Sequence, residues 1–348
     1  MVITLFLILK TGTQNWTPYK KIFSLYPSCV LVNGKNKDAL YDLQRQSYSL
    51  IPHALYYILT KYNKQTIGSI KEKYADEANI ISEYFKFMLD KDYGVLCEKN
   101  VEVMFRPLPH HVFSPKLITN AIFDYDKNES YNLMEGIRQL SLLKCENLEL
   151  RFYDYISLSR LTDVLKWADD TTLRDIEIML QYGEDYTFKN ILNIRLLYPR
   201  LRKVSIVNSP KNLECIYSHE EIFIIYTSQE INDESHCGIC SPWYYLPKIE
   251  LYMESLSFNN CLNAKISIDR FGNIKNCPSM AKSWGKFGVY TLSEVANNKE
   301  FQKIWFIKKD DIDKCKECEL RYMCQDCRAY IKDKENIYSA PTKCNYVL

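Results

Sequence analysis

Four cysteines fall within thirteen residues near the end of the chain, in "CKECELRYMCQDC" (315–327). Cys315 and Cys318 make one pair two residues apart, and Cys324 and Cys327 make another. Such spacing lets a tight turn present two sulfurs to one ion or cluster, as zinc and iron–sulfur sites both require. Of the 13 cysteines, nine lie between 237 and 344: Cys237, Cys240, Cys261, Cys277, the four above and Cys344. The other four, Cys29, Cys97, Cys145 and Cys215, stand singly among apolar residues and read as small buried hydrophobes.

Two metal chemistries fit these thiols. One tetrahedral zinc would use the cysteines of 315–327, leave five others unexplained, and set its pairs closer than zinc ribbons do. Eight thiolates would instead serve two [4Fe–4S] clusters at four each, and iron–sulfur proteins can send one cysteine of a run to a second cluster. Iron–sulfur uses more of the pattern.

Composition limits the alternatives. The chain has 348 residues, 47% hydrophobic and 25% charged, enough for two or three domains with real cores. Forty-five Lys and Arg against 43 Asp and Glu leave a net charge of +2 with no basic stripe, so no nucleic-acid partner is expected. The opening "MVITLFLILK" is too short to span a bilayer of ~30 Å and lacks a basic start and a small-residue cleavage site. No membrane association is expected, the expected address is the cytoplasm, and the thiols are expected reduced.

The centre of the chain alternates strand and helix patterns. "LITNAIFDY", "NLELRFY", "LRDIEIMLQY", "RKVSIVNS" and "EIFIIYTS" read as strands; "YNLMEGIRQLSLL", "LSRLTDVLKWA" and "TFKNILNIRLLY" have helical spacing. Alternation of this kind predicts parallel βα units, part of a barrel. Upstream, "SCVLVNG", "DALYDLQ" and "SYSLIP" read as three strands, followed by three helices in "HALYYILTKYN", "TIGSIKEKY" and "NIISEYFKFMLDKDYG". "RPLPHHVFSP" marks a boundary near 106–115; His110 and His111 there point opposite ways on an extended segment and read as an exposed linker pair. "ISIDRFGNIKNC" reads as a hairpin turning at Phe271–Gly272–Asn273, with Cys277 at its end.

The string "CLNAKISIDRFGNIKNC" (C-x10-G-x4-C, 261–277), followed by C-x2-C-x5-C-x2-C over 315–327 and then Cys344, resembles a SPASM domain. That domain is the auxiliary-cluster extension of radical SAM peptide-modifying enzymes. "HCGIC", "NNCLNAKISIDRFGNIKNCPSM" and "CELRYMCQDCRAYIKDKENIYSAPTKCNY" resemble a narrower group, the SPASM-domain peptide maturases of grasp-with-spasm systems. There the protein accompanies an ATP-grasp ligase and a ribosomally made precursor peptide. The resemblance is strong over 235–348 and continues more weakly from about 22.

The resemblance implies two [4Fe–4S] clusters. Cys261, Cys277 and Cys327 would hold the first; Cys315, Cys318, Cys324 and Cys344 would hold the second. Cys237 is favoured as fourth ligand of the first, with Cys240 or an open iron site as alternatives, and His236 is assigned a hydrogen-bonding role. Two residues precede Cys327 where three are usual, which leaves its direction open. The radical SAM triplet C-x3-C-x2-C is missing: the loop after the first central strand reads "DKNESYN", and "LELRFYDY" has no glycine where the methionine-binding glycines belong. Reductive cleavage of S-adenosylmethionine is therefore not expected.

The implied fold is α/β: an unassigned extension (1–18), a PqqD-like winged-helix leader-binding domain (19–105), a degenerate partial (β/α) radical-SAM-like barrel (116–232) and a SPASM domain (233–348). Leader peptides bind PqqD-like domains by pairing with an exposed strand edge, which points to Tyr48 and Leu50 on the third strand. The implied function is precursor binding beside the ATP-grasp ligase. A redox peptide-modifying enzyme and a zinc-stapled binding module are the alternatives.

Overall fold

The computed structural model describes residues 18–98, 101, 105–106, 108, 114–217, 222–237, 240–325 and 327–348. The extension up to residue 17, His110 and His111 with most of the proline-rich boundary, and the side chain of Cys215 lie outside the described residues.

The N-terminal part begins with β1 (Ile22–Leu25). It continues through β2 (Cys29–Val32), β3 (Asp38–Asp42) and β4 (Ser47–Ile51), which form an antiparallel sheet in that order. Three helices follow: α1 (His53–Lys61), α2 (Ile67–Lys73) and α3 (Ala78–Asp90). β5 (Gly94–Cys97) returns to pair antiparallel with β1. Period-two alternation sorts the sheet's side chains between two faces. Leu40 and Ile51 enter a core with Leu55, Ile70, Phe85 and Met88 from the helices. Val32, Ala39 and Tyr41 point the other way, into a second core shared with Leu320 and Met323 of the cysteine-rich third.

The centre is a mixed α/β unit built on an eight-stranded sheet. β6 (Asn120–Tyr125), β7 (Asn147–Phe152), β8 (Asp175–Gln181) and β9 (Leu201–Val207) run parallel and adjacent. Each of the first three is followed by a helix: α4 (Leu133–Leu142), α5 (Leu158–Asp169) and α6 (Phe188–Leu197). Their starts are set by Asn132, Ser157 and Thr187, whose side chains accept hydrogen bonds from first-turn backbone amides. β10 (Leu213–Tyr217) and β11 (Ile222–Tyr226) form a hairpin that adds β11 parallel to β9.

The other side of the sheet is completed from the C-terminal third. β12 (Lys265–Ile268) pairs parallel with β6, and β13 (Ile274–Lys275) pairs antiparallel with β12. The sheet therefore crosses residue 233, the position at which the sequence suggests a new domain. Ile266 and Ile268 join the core of Phe123, Leu150 and Ile178 beneath the helices. Among the described residues the rest of this third holds short helices, α7 (Ile249–Ser255), α8 (Leu292–Ala296) and α9 (Lys299–Gln302), and single turns. Among the described residues no helix is long and apolar enough to cross a membrane.

Candidate metal centre

The hairpin β12–β13 carries Cys277 to a fixed place. Gly272 at its turn has φ of +77°, a left-handed conformation that glycine adopts without a Cβ penalty. Asp269 closes the turn by accepting from the backbone amides of Phe271 (3.0 Å) and Asn273 (2.8 Å). Cys277 follows, buried, within electrostatic reach of Cys261, Cys237 and Cys327. Cys237 and Cys327 likewise each feel Cys261. These four, from four separate segments, make the first thiol neighbourhood. Lys265 points its Nζ at Cys261 Sγ, 3.9 Å away.

The second neighbourhood is built from the quoted run. Single turns at Cys315–Glu317 and Arg321–Met323 set its pairs. Cys315 lies within electrostatic reach of Cys324 and Cys344, and Cys318 of Cys315 and Cys324. The Leu320 amide donates to Cys318 Sγ at 3.4 Å, and Lys314 Nζ lies 3.4 Å from Cys344 Sγ. Cys240, the alternative to Cys237 in the first set, stands here instead: its thiol hydrogen-bonds Cys324, and its backbone bridges to Cys344.

Burial pushes most of these thiols up, Cys277 and Cys318 each to about 12. Cys324 goes the other way, to about 6, chiefly through the Cys240 hydrogen bond, with Lys309 and Tyr245 adding to it. Cys29 and Cys145 are raised to about 12, chiefly by burial, in keeping with small core residues.

Among the described residues no three of His, Cys, Asp or Glu converge closely enough to share one metal ion. A single tetrahedral zinc draws its sulfurs to ~2.3 Å from one point. A [4Fe–4S] cluster takes four thiolates, one at each iron. The donor chemistry fits such a cluster in both places: thiols alone, from four or more positions, beside the cationic side chains of Lys265, Lys309 and Lys314. His236 contacts Gln229 at 3.4 Å and neither thiol set by any hydrogen bond described.

Two further features were not anticipated by the sequence. On the sheet face opposite the helices, Asp124 of β6 and Arg151 of β7 form a buried two-pronged ion pair at 2.6 and 2.9 Å. Tyr153 donates to the same carboxylate at 3.3 Å. Burial outweighs the guanidinium and raises Asp124 to about 6. Arg151 acts electrostatically on Cys237, which places the pair beside the first thiol set. The available signal was Asp124 inside the apolar strand "AIFDY", with Arg151 beside Glu149 in the neighbouring strand "LELRF". The second feature is a cleft of about 810 Å³ between α7 and the segments leading into β6 and β12, with Tyr245, Met253, Trp305 and Met323 in its wall.

At the N-terminal sheet, β4 pairs with β3 alone, so its outer edge is open among the described residues. Leu50 is 42% exposed there, while Tyr48 packs edge-on to Tyr41 with its ring partly buried.

No family model matches this chain, and no curated protein does. Solved structures of SuiB from Streptococcus suis do match: one of SuiB, one bound to S-adenosylmethionine and one bound to the precursor peptide SuiA. They share 9 to 10% identity, cover 93% of this chain and 100% of theirs, and superpose with TM-scores of 0.30 to 0.32. A likeness of that degree leaves both fold and function to be argued from this chain's own residues.

Proposed function

We propose that this protein is a SPASM-domain iron–sulfur protein of grasp-with-spasm type that takes part in maturing a ribosomally made peptide. The observation that carries the reading is the gathering of nine C-terminal cysteines into two separate, all-thiol neighbourhoods. Cys237, Cys261, Cys277 and Cys327 would hold one [4Fe–4S] cluster; Cys315, Cys318, Cys324 and Cys344 would hold the other. Bound there, the clusters would supply one-electron carriers. The chain's own residues would cover them in part: Cys277, Cys327, Cys315 and Cys324 are buried, and Cys237, Cys261, Cys318 and Cys344 are half-buried.

The peptide's leader would pair with the open edge of β4, Leu50 offering an exposed apolar contact beside Tyr48. An ATP-grasp ligase is the proposed partner in forming the ester or amide links. Absence of the cysteine triplet after β6 favours an accessory role over radical chemistry.

The test is reconstitution: precursor peptide and ATP-grasp ligase, with and without this protein, S-adenosylmethionine and reductant. Modification that requires this protein and ATP but neither S-adenosylmethionine nor reductant is the expected result. Modification by this protein alone, dependent on reductant, would assign it the redox-enzyme role instead.

A further inference from the structure

Tyr245 lies between the second thiol set and the cleft. Its hydroxyl donates to Cys324 Sγ at 3.0 Å, and its ring forms part of the cleft wall. The side chain is only 8% exposed and packs with Met323, Leu320 and Cys240. The geometry is fixed from both sides. Ser241 lies just before the single turn Pro242–Tyr244, whose cap is Tyr245, and the Tyr245 amide donates back to Pro242 O at 3.1 Å. A phenol hydroxyl carries one O–H, and here it is directed at the Cys324 sulfur.

Resting on the cluster reading above, we infer that Tyr245 is a hydrogen-bond donor that raises the reduction potential of the second centre. A donor on a ligating sulfur draws electron density from the cluster and favours the form carrying one more electron, which raises the potential. Tyr245 also places an aromatic ring between Cys324 and the cleft. A position of this kind is invisible in the cysteine pattern, because the residue sits 79 positions before Cys324.

The experiment is an EPR-monitored redox titration of the full chain, wild type and Tyr245→Phe, after iron and sulfide have been counted in each. The expected result is a lower midpoint for one centre, an unmoved midpoint for the other, and equal iron in both proteins. Two unmoved midpoints, or two that fall together, would overturn the inference. If Tyr245→Phe loses iron, a Cys261→Ser protein that keeps only the second centre replaces it. Deuterium ENDOR in heavy water should then show one exchangeable deuteron coupled more strongly than the Leu320 and Lys314 donors at 3.4 Å allow, and its absence overturns the inference. Wild-type protein without iron and sulfide would sink the cluster reading itself, and metal counting reveals that before any titration begins.

Discussion

Asp124 and Arg151 show what individual residues contribute. A buried ion pair is costly to break, because removing one partner strands the other charge away from water. Arg151→Leu should destabilise the protein by ~3–5 kcal/mol, and the double variant Asp124→Leu/Arg151→Leu by less, measured by denaturant unfolding. The pair also makes a pH prediction. The folded-state value of Asp124 is raised to about 6 from the usual 3.8, so its protonation stabilises the fold most fully below pH 3.8. That contribution is lost as pH rises through about 6. Relative to Asp124→Asn, wild-type stability should fall between pH 4 and pH 7, the direction a raised folded-state value requires. A flat difference would show that Arg151 fully compensates the burial. Gly34 is a second site. A Cβ there would meet Lys37 O at 2.2 Å and Glu319 Cβ at 2.8 Å. Gly34→Ala should therefore cost ~1–3 kcal/mol in the thermal unfolding of the N-terminal sheet from the cysteine run.

At the scale of elements, most of the regular structure was legible. The three strands and three helices of the N-terminal part, and the βα alternation of the centre, appear where periodicity put them, within a few residues. What periodicity missed was short or non-local. β1 and β5 pair with each other across about seventy residues, so neither has a neighbouring strand in sequence to mark it as part of a hairpin. β12 was legible as half of a hairpin, but its parallel pairing with β6 joins segments some 145 residues apart, and no local pattern encodes such a partner. Among the site residues, the cysteine spacings pointed to all nine thiols, whereas Tyr245 and the Asp124–Arg151 pair depend on contacts made only in the folded chain. The β4 edge carries the element-scale prediction. Leu50→Asp should weaken precursor binding about tenfold, ~1.4 kcal/mol, in a fluorescence titration while leaving iron content unchanged. Unchanged affinity would move the peptide off this edge.

The whole molecule is arranged so that two structural units converge on the cysteine-rich third. The central sheet extends into it through β12, and the N-terminal sheet lies against the run 315–327. Tyr41 donates to Glu319 O at 2.6 Å, and Arg321 donates to Asn33 O at 2.6 Å and to Asn33 Oδ1 at 2.9 Å. The second thiol set is thus roofed by the element proposed to hold the peptide, and the first is walled by the central sheet. Metal binding should then be coupled to folding across the molecule, since ligands from distant segments assemble only in the native chain. Chelation or oxidative loss of the metal should lower the thermal midpoint of the whole protein rather than of its last third.

The most direct test of the central claim is the iron, sulfide and zinc content of protein purified without oxygen, with an EPR spectrum after reduction. The account predicts about eight irons and about eight sulfides per chain, no zinc, and signals from two [4Fe–4S] centres. One or two zincs with no sulfide would contradict it and leave a scaffold stapled by zinc.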